Sequence, residues 1–213
     1  MNVTHWPLFR LRVRTPRLEL RLPTLQELDA LAQLSTEGVH PPDRMPFAVP
    51  WTDLPPAERA RGLMQFHWRQ LAVWTPEDWD LQLGVFLDGR IVGVQGIGAR
   101  DFTILREVGT GSWLGQRHQG QGIGTEMRAA VLELAFTGLG AESAVSAALT
   151  DNAASYAVSR KLGYRPNGTA RIRVRDALGY ERRLELDRTR WEQHRTVSVQ
   201  IGGLEPCLPL FGL

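Results

Sequence analysis

The sequence predicts an α/β protein, α+β in its layout, with helices packed against one mixed β-sheet. Three observations carry that expectation. Apolar residues alternate with period two through much of the first half, then recur at helical spacing from Ile123. Asp88-Gly89 separates two alternating runs, a strong short-range hairpin signal. A glycine-rich turn ending near Gly124 joins a strand to a helix.

The elements follow in order. Residues 17–22 alternate and read as a first strand. Thr24 caps the next helix and Glu27, three residues on, completes a capping box. Leu25, Leu28, Leu31, Ala32 and Leu34 form its apolar stripe. Pro41, Pro42, Pro46, Pro50, Pro55 and Pro56 make residues 38–56 a loop, because proline removes donors and fixes φ. Such a loop is either a binding wall or an irregular connector with packed aromatics. Residues 57–73 read as a helix with Leu63, Phe66, Gln70 and Val73 near one face. Strands at 80–87 and 90–99 flank Asp88-Gly89, and another covers 107–114.

From Ile123, a stripe of Met127, Ala130, Val131 and Leu134 marks a helix that Gly138 and Gly140 stop. Residues 143–149 form a short strand. Asp151 or Asn152 caps a helix running to Leu162, with Gly163 as its C-terminal cap. Residues 168–175 and 181–187 make a last hairpin around 176–179, and 196–213 is a tail.

Composition sets the outer bounds. The 213 residues fit one domain, and the 43% hydrophobic and 23% charged fractions are ordinary for a globular protein. A net charge of +2 is too mild for a nucleic-acid partner, which needs a concentrated basic face. Arginine supplies almost all the basic charge, and Lys161 is the only lysine, as a GC-rich bacterial genome would produce. Cys207, the single cysteine, fits a reducing cytoplasm. Residues 1–5 show no start of a leader, and no apolar run approaches the roughly 20 residues that cross a bilayer. A soluble, cytoplasmic protein without a membrane partner is expected. His5, His40, His67, His118 and His194 have no paired ligand spacing, so no metal is expected.

The chemistry concentrates at residues 111–127. A helix that begins inside a glycine turn offers unpaired N–H groups and a partial positive charge, which suit an anion. Gly120, Gly122 and Gly124 allow close approach of a pyrophosphate, and Arg117 adds a charged fork. The turn ends Gly-Ile-Gly-Thr without the lysine of a nucleoside-triphosphate loop. A dinucleotide fingerprint would place its third glycine at Thr125, and Glu142 opens its strand where a ribose-binding acid should end one. A purely structural turn remains the plain alternative.

Arg117-His-Gln-Gly-Gln-Gly122 resembles the loop of the GNAT acyltransferases: Gln or Arg, two variable residues, Gly, one variable residue, then Gly or Ala. Asn152-Ala-Ala-Ser155, followed by Lys161-Leu-Gly-Tyr164, is similar to a second motif of the branch related to ribosomal-protein acetyltransferases. The resemblance implies a twisted, mostly antiparallel sheet of about seven strands with four or five helices. It implies an acetyl- or succinyl-coenzyme A cosubstrate held by Trp113, Leu114, Arg117, Gln119, Gly120, Gly122, Ile123, Gly124, Thr125, Asn152 and Lys161. A strand that splays from its neighbour would admit the pantetheine arm. Outer segments such as His5-Trp-Pro-Leu-Phe9 and Gly38-Val-His-Pro-Pro42 resemble an actinobacterial subgroup that includes a mycobacterial protein regarded as a succinyltransferase.

The reaction so implied is attack of a neutral amine on the thioester, with backbone N–H groups near Leu114 stabilising the oxyanion. Ser155 would protonate the departing thiolate. Asn152 as a mere helix cap and Ser155 as a solvated first-turn residue are the structural alternatives. Relatives often carry a glutamate where this chain has Gly109, which leaves Glu107 or an ordered water to deprotonate the amine. Asp43, Arg44, Met45 and Phe47 are candidate acceptor walls, and Arg44 is a candidate partner for a succinyl carboxylate. The acceptor is an amine on a small molecule or a peptide, and a homo-oligomer is compatible with the family. A catalytically weak module that senses acyl-coenzyme A is the competing function.

Overall fold

The computed structural model describes residues 4–213; Met1 to Val3, part of the segment read for a leader, lie outside the described residues. Nine strands form one sheet in the order β7-β8-β6-β5-β4-β3-β2-β1-β9. They are β1 (Arg12–Arg14), β2 (Leu18–Arg21), β3 (Asp78–Leu87), β4 (Arg90–Arg100), β5 (Glu107–Leu114), β6 (Ser143–Leu149), β7 (Arg165–Val174), β8 (Ala177–Asp187) and β9 (Gln200–Gly202). Every neighbouring pair is antiparallel except β5 and β6. The helices are α1 (Leu25–Glu37), α2 (Pro56–Ala72), α3 (Phe102–Leu105), α4 (Ile123–Glu133), α5 (Ala153–Lys161) and α6 (Arg188–His194).

Local chemistry explains the entry to α1. The Thr24 side chain accepts from the Glu27 amide and Glu27 accepts from the Thr24 amide, closing the capping box. Arg21 donates to both Glu27 oxygens at 2.7 and 2.6 Å, which ties the helix start to β2. Hydrogen bonding from Arg21 is the main cause that holds Glu27 down at about 2. The β3–β4 hairpin turns where expected, with Asp88 at φ 49° and Gly89 at φ 74°. Positive φ at both central residues gives the twist that antiparallel strands need.

Three expectations change. The buried face of α2 consists of Leu63 and His67, whereas Phe66 and Val73 are exposed. Leu63 packs as read, but the flank that meets α1 and the sheet carries Ala60 and Met64 beside it, so helical spacing alone carried the stripe too far round. The last hairpin turns at Arg175-Asp176, not at 176–179, because Val174 pairs with Ala177 and Arg175 adopts φ 53° without being glycine. The tail is part of the core. Its β9 pairs with β1, and Cys207 and Phe211 behind it are fully buried. Phe211 sits 4.8 Å from the ring of Trp79, and Trp74 donates its indole N–H to the Leu210 carbonyl at 2.7 Å. The sheet thus exceeds the expected count by the short edge pair β1 and β9.

Two cores flank the sheet. Leu28, Leu31, Leu34 and Leu63 pack on Val94 on one side. On the other, α4 is buried along nearly its whole length through Met127, Ala130 and Val131. No helix among the described residues is long and apolar enough to cross a membrane.

Candidate active site

The only parallel pairing among the described residues is also a short one, in the middle of the sheet. β5 and β6 align Glu107 with Ser143, Val108 with Ala144 and Gly109 with Val145. Beyond Gly109, β5 continues along β4 to Leu114 while β6 continues along β8 to Leu149. The two strands therefore part, and the gap becomes a cavity of about 770 Å³. The Gly115 amide donates to Val92 on β4. Alternation along β5 then turns the N–H groups of Ser112 and Leu114 toward the gap.

The glycine turn closes one end of this cavity. Gly120 and Gly122 adopt φ 74° and 80°, a backbone conformation L-residues rarely take. A Cβ on Gly120 would meet nothing within 4 Å, so the space in front of the turn is open. Gly122 is the N-cap of α4 and no side chain caps it. The first amides of a long helix thus face the cavity rim without a protein acceptor of that kind, an arrangement suited to a phosphate. Gln119 pins the turn by donating to the Val39 and Leu114 carbonyls at 2.7 and 3.0 Å.

Other residues expected at the site divide plainly. Trp113, Leu114, Gln119, Gly120, Gly122, Gly124, Thr125, Asn152, Ser155 and Lys161 line the cavity, as do Arg44, Met45 and Phe47 of the proline-rich loop. Ile123 is buried beneath the turn and Asp43 is exposed outside the lining. Arg117 does not border the cavity; it is exposed and paired with Glu37. Glu107 also lies outside, where β5 begins, and accepts from the Ser143 hydroxyl at 2.8 Å. Asn152 caps α5 by accepting from the Ser155 amide at 3.1 Å, so it has a structural task besides bordering the cavity.

Three residues enter that sequence reasoning did not single out. Arg17 grips Glu126 through Nε at 2.7 Å and a terminal nitrogen at 2.6 Å. It also donates to the Gln121 carbonyl at 3.2 Å, so a cation from β2's approach supports the turn. Its partner lies more than a hundred positions away, beyond any local pattern. Glu181 on β8 borders the cavity opposite the glycine turn's strand, brought there by pairing with Leu149. Arg128 on α4 lies among the buried residues Met127, Ala129 and Ala130. A charge inside an apolar helical run was the signal that could have found it.

The proline-rich loop forms the opposite wall. An aromatic run passes from His40 to Phe47, Trp51 and Trp113, with ring centroids 5.8, 5.4 and 5.5 Å apart. His40 bonds the Thr52 hydroxyl at 2.6 Å, and Asp53 receives both forks of Arg175 at 2.7 and 2.8 Å. The loop is thereby tied to the tip of the β7–β8 hairpin. The loop thus lines the cavity and packs its own aromatics at the same time. No group of three or more His, Cys, Asp or Glu among the described residues could hold a metal ion.

The acetyltransferase (GNAT) domain family matches residues 17–165. Solved structures with the same fold include Mycobacterium smegmatis RimJ in complex with a coenzyme A disulfide. It is 18% identical with a TM-score of 0.66, over 97% of this chain and 97% of that one. RimL, a ribosomal L7/L12 α-N-protein acetyltransferase in complex with coenzyme A, is 18% identical with a TM-score of 0.64, over 81% of this chain and 95% of that one. The microcin C7 self-immunity acetyltransferase MccE, in complex with acetyl-CoA and AMP, is 17% identical with a TM-score of 0.61, over 81% and 93%. At such identities these structures bear on the fold.

Proposed function

Because the chain belongs to the GNAT acetyltransferase family, we propose that its cleft binds acyl-coenzyme A and passes the acyl group directly to a primary amine. The observation that carries this reading is the parting of β5 and β6 next to an uncapped helix N-terminus. The turn's amides at Gly120, Gly122 and Gly124 hold the pyrophosphate. Arg17 holds the turn, and the pantetheine arm runs into the gap along β5, exchanging hydrogen bonds with the backbone of Ser112 and Leu114. Trp113, Thr125, Asn152 and Lys161 complete the cosubstrate wall.

The acceptor enters between the aromatic run and the β7–β8 hairpin. Its ammonium loses a proton, directly or through water, to Glu181, which borders the cavity where Glu107 does not. The free amine attacks the thioester carbonyl, the resulting oxyanion is held by β5 amides, and the C–S bond then breaks with its electron pair on sulfur. The second proton on the attacking nitrogen leaves as that bond breaks, and the Ser155 hydroxyl on the first turn of α5 can relay it to sulfur. An acetyl donor suits the family; the placement of Arg44 on the cavity wall favours a donor with a terminal carboxylate, such as succinyl, as the second reading. The likeness to RimL, a ribosomal L7/L12 α-N-protein acetyltransferase, supports a protein amine as acceptor.

Thiol release from acetyl- and succinyl-coenzyme A, measured against a panel of peptides and small amines, tests the reading. Release dependent on both donor and amine is expected. Tight binding of either donor without release for any amine would favour the sensing module instead, and no binding would refute the cleft assignment.

A further inference from the structure

A buried cation without a counter-ion lies under the gap between β5 and β6. Arg128 is 4% exposed and projects from α4 to the base of the cavity, which it lines. Its terminal nitrogens reach Ser159 on α5 at 3.0 Å, Ser112 on β5 at 3.2 Å and Ser146 on β6 at 3.4 Å. Two of these hydroxyls are themselves committed as donors, Ser146 to the Thr110 carbonyl and Ser159 to the Ser155 carbonyl. Their oxygens can therefore only accept from the guanidinium. The Arg128 Nε–H has no partner among the described residues, and neither has the nearby buried amide oxygen of Gln95, the cross-strand partner of Ser112.

No carboxylate is paired with Arg128 among the described residues. Tyr164, also buried and bonded to Thr110 at 3.2 Å, offers no counter-charge, because burial raises its pKa and keeps the phenol neutral. Asp151, Glu181, Lys161 and Arg44 also line the cavity and share its field. Burying a charge costs several kcal/mol unless an opposite charge meets it. Arginine does not escape that cost by losing its proton, because its intrinsic basicity is too high. Serine hydroxyls hold the guanidinium in place on three sides and leave its charge uncancelled toward the gap.

Resting on the acyl-coenzyme A reading above, we propose that Arg128 is the electrostatic partner of the coenzyme A sulfur as it leaves as a thiolate. When the tetrahedral intermediate collapses, the C–S electron pair stays on sulfur, the amide forms, and the two protons shed by the ammonium nitrogen go to Glu181 and to water. The sulfur then carries a full negative charge beside a cation that is itself only 4% exposed. Coenzyme A is bound as the thiolate and takes up its proton on release, so Ser155 need not act for the bond to break. This charge also explains why the three serines stand where a salt bridge would ordinarily be built: a carboxylate there would neutralise Arg128 before the reaction began.

The test compares binding of coenzyme A and of desulfo-coenzyme A, which lacks the sulfur, across neutral to alkaline pH by calorimetry, with proton release recorded in buffers of different ionisation enthalpy. In the unaltered protein, coenzyme A binding releases a proton, the thiol pKa falls on binding, and the sulfur compound is preferred. An opposite charge within about 4–6 Å lowers such a pKa by about 1–3 units, so Arg128→Met should reduce the coenzyme A preference at alkaline pH by about tenfold or more. Affinity for desulfo-coenzyme A should change far less, and Arg128→Lys should keep most of the preference. Ser155→Ala should leave the bound thiol's pKa unaltered. Absence of proton release in the unaltered protein would overturn the proposal without any variant having to fold. So would a loss on Arg128→Met confined to donors with a terminal carboxylate, which would place that carboxylate on the guanidinium. Failure of both coenzyme A and desulfo-coenzyme A to bind the unaltered protein would instead sink the acyl-coenzyme A reading itself.

Discussion

Replacing Arg17 by methionine should loosen the glycine turn and the fold together. Glu126 is 9% exposed and receives three hydrogen bonds and one further ion-pair contact. They come from the Thr15 hydroxyl at 2.6 Å, the Arg17 amide at 3.2 Å, and the Arg17 guanidinium at 2.7 and 2.6 Å. Arg17→Met removes the charge-assisted bond and the ion-pair contact beside it, and leaves a largely buried carboxylate with two neutral donors. Such a bond is worth about 1.5–3 kcal/mol, but the guanidinium is 46% exposed and water screens part of the attraction, so the expected loss is about 2 kcal/mol. Glu126→Gln, which leaves Arg17 free to hydrate, should cost about 1 kcal/mol. The double replacement should fall short of their sum by about 1 kcal/mol. Urea unfolding at neutral pH with an unchanged m-value reads the stability, and calorimetry with coenzyme A reads the turn. Loss of the tether on the Gln121 carbonyl should lower affinity by about five- to tenfold. Additivity within about 0.5 kcal/mol, or unaltered coenzyme A affinity in Arg17→Met, would refute the clamp.

Burial holds His67 at about 4, below its value of 6.5 in an open chain. Between those pH values the unfolded chain binds a proton that the folded chain refuses. Stability should thus fall as pH drops from about 6.5 to 4, by up to about 3 kcal/mol, and His67→Gln should flatten that window in denaturation curves. Glu27 acts lower. Hydrogen bonding from Arg21 keeps it at about 2 against 4.5, so its contribution is present above pH 4.5 and lost as pH falls toward 2, and Glu27→Gln should flatten only that acid limb. Ser155→Ala should lower kcat by about tenfold or less if Arg128 carries the leaving sulfur, with coenzyme A affinity unaltered in calorimetry. Glu181→Gln should lower kcat by about 100-fold or more while sparing that affinity; equal activity in the variant would remove Glu181 from the proton path.

Local signals carried much of the architecture into the sequence. The Thr24–Glu27 box, the Asp88-Gly89 turn and the Gly163 cap each use a few neighbouring residues, and the structure uses each as read. β5 and β6 match their expected spans because turn residues bracket both. The glycine turn was legible for the same reason. What escaped depends on partners far along the chain. Arg17 meets Glu126 through β2 and α4, and Glu181 reaches the cavity only because β8 pairs with β6. Arg117 looked like the cation of the loop, yet it turns outward to Glu37, and a side chain's direction is not written in its spacing. The face of α2 was misjudged because Phe66 and Val73 are apolar but stay exposed, and His67 is polar but buried. The tail was dismissed because three residues of β9 are too few to show a period.

That short strand has a consequence for synthesis of the chain. β9 is the outer neighbour of β1, with Val13 aligned on Ile201, and Gly203 packs close against the Arg10 carbonyl behind it. β1 therefore leaves the ribosome long before the strand that flanks it. Until residues near 200 emerge, β1 and β2 present an unfinished edge with Val13, Leu18 and Leu20, all of which are buried in the finished protein. At the usual rate of about 5–20 residues per second, that exposure lasts on the order of ten seconds or more for each nascent chain. Glu19 lies on that edge among Arg12, Arg14 and Arg21, so charges alternate with the apolar residues throughout the wait. They act as gatekeepers for the newborn strand long before any of them serves the mature sheet.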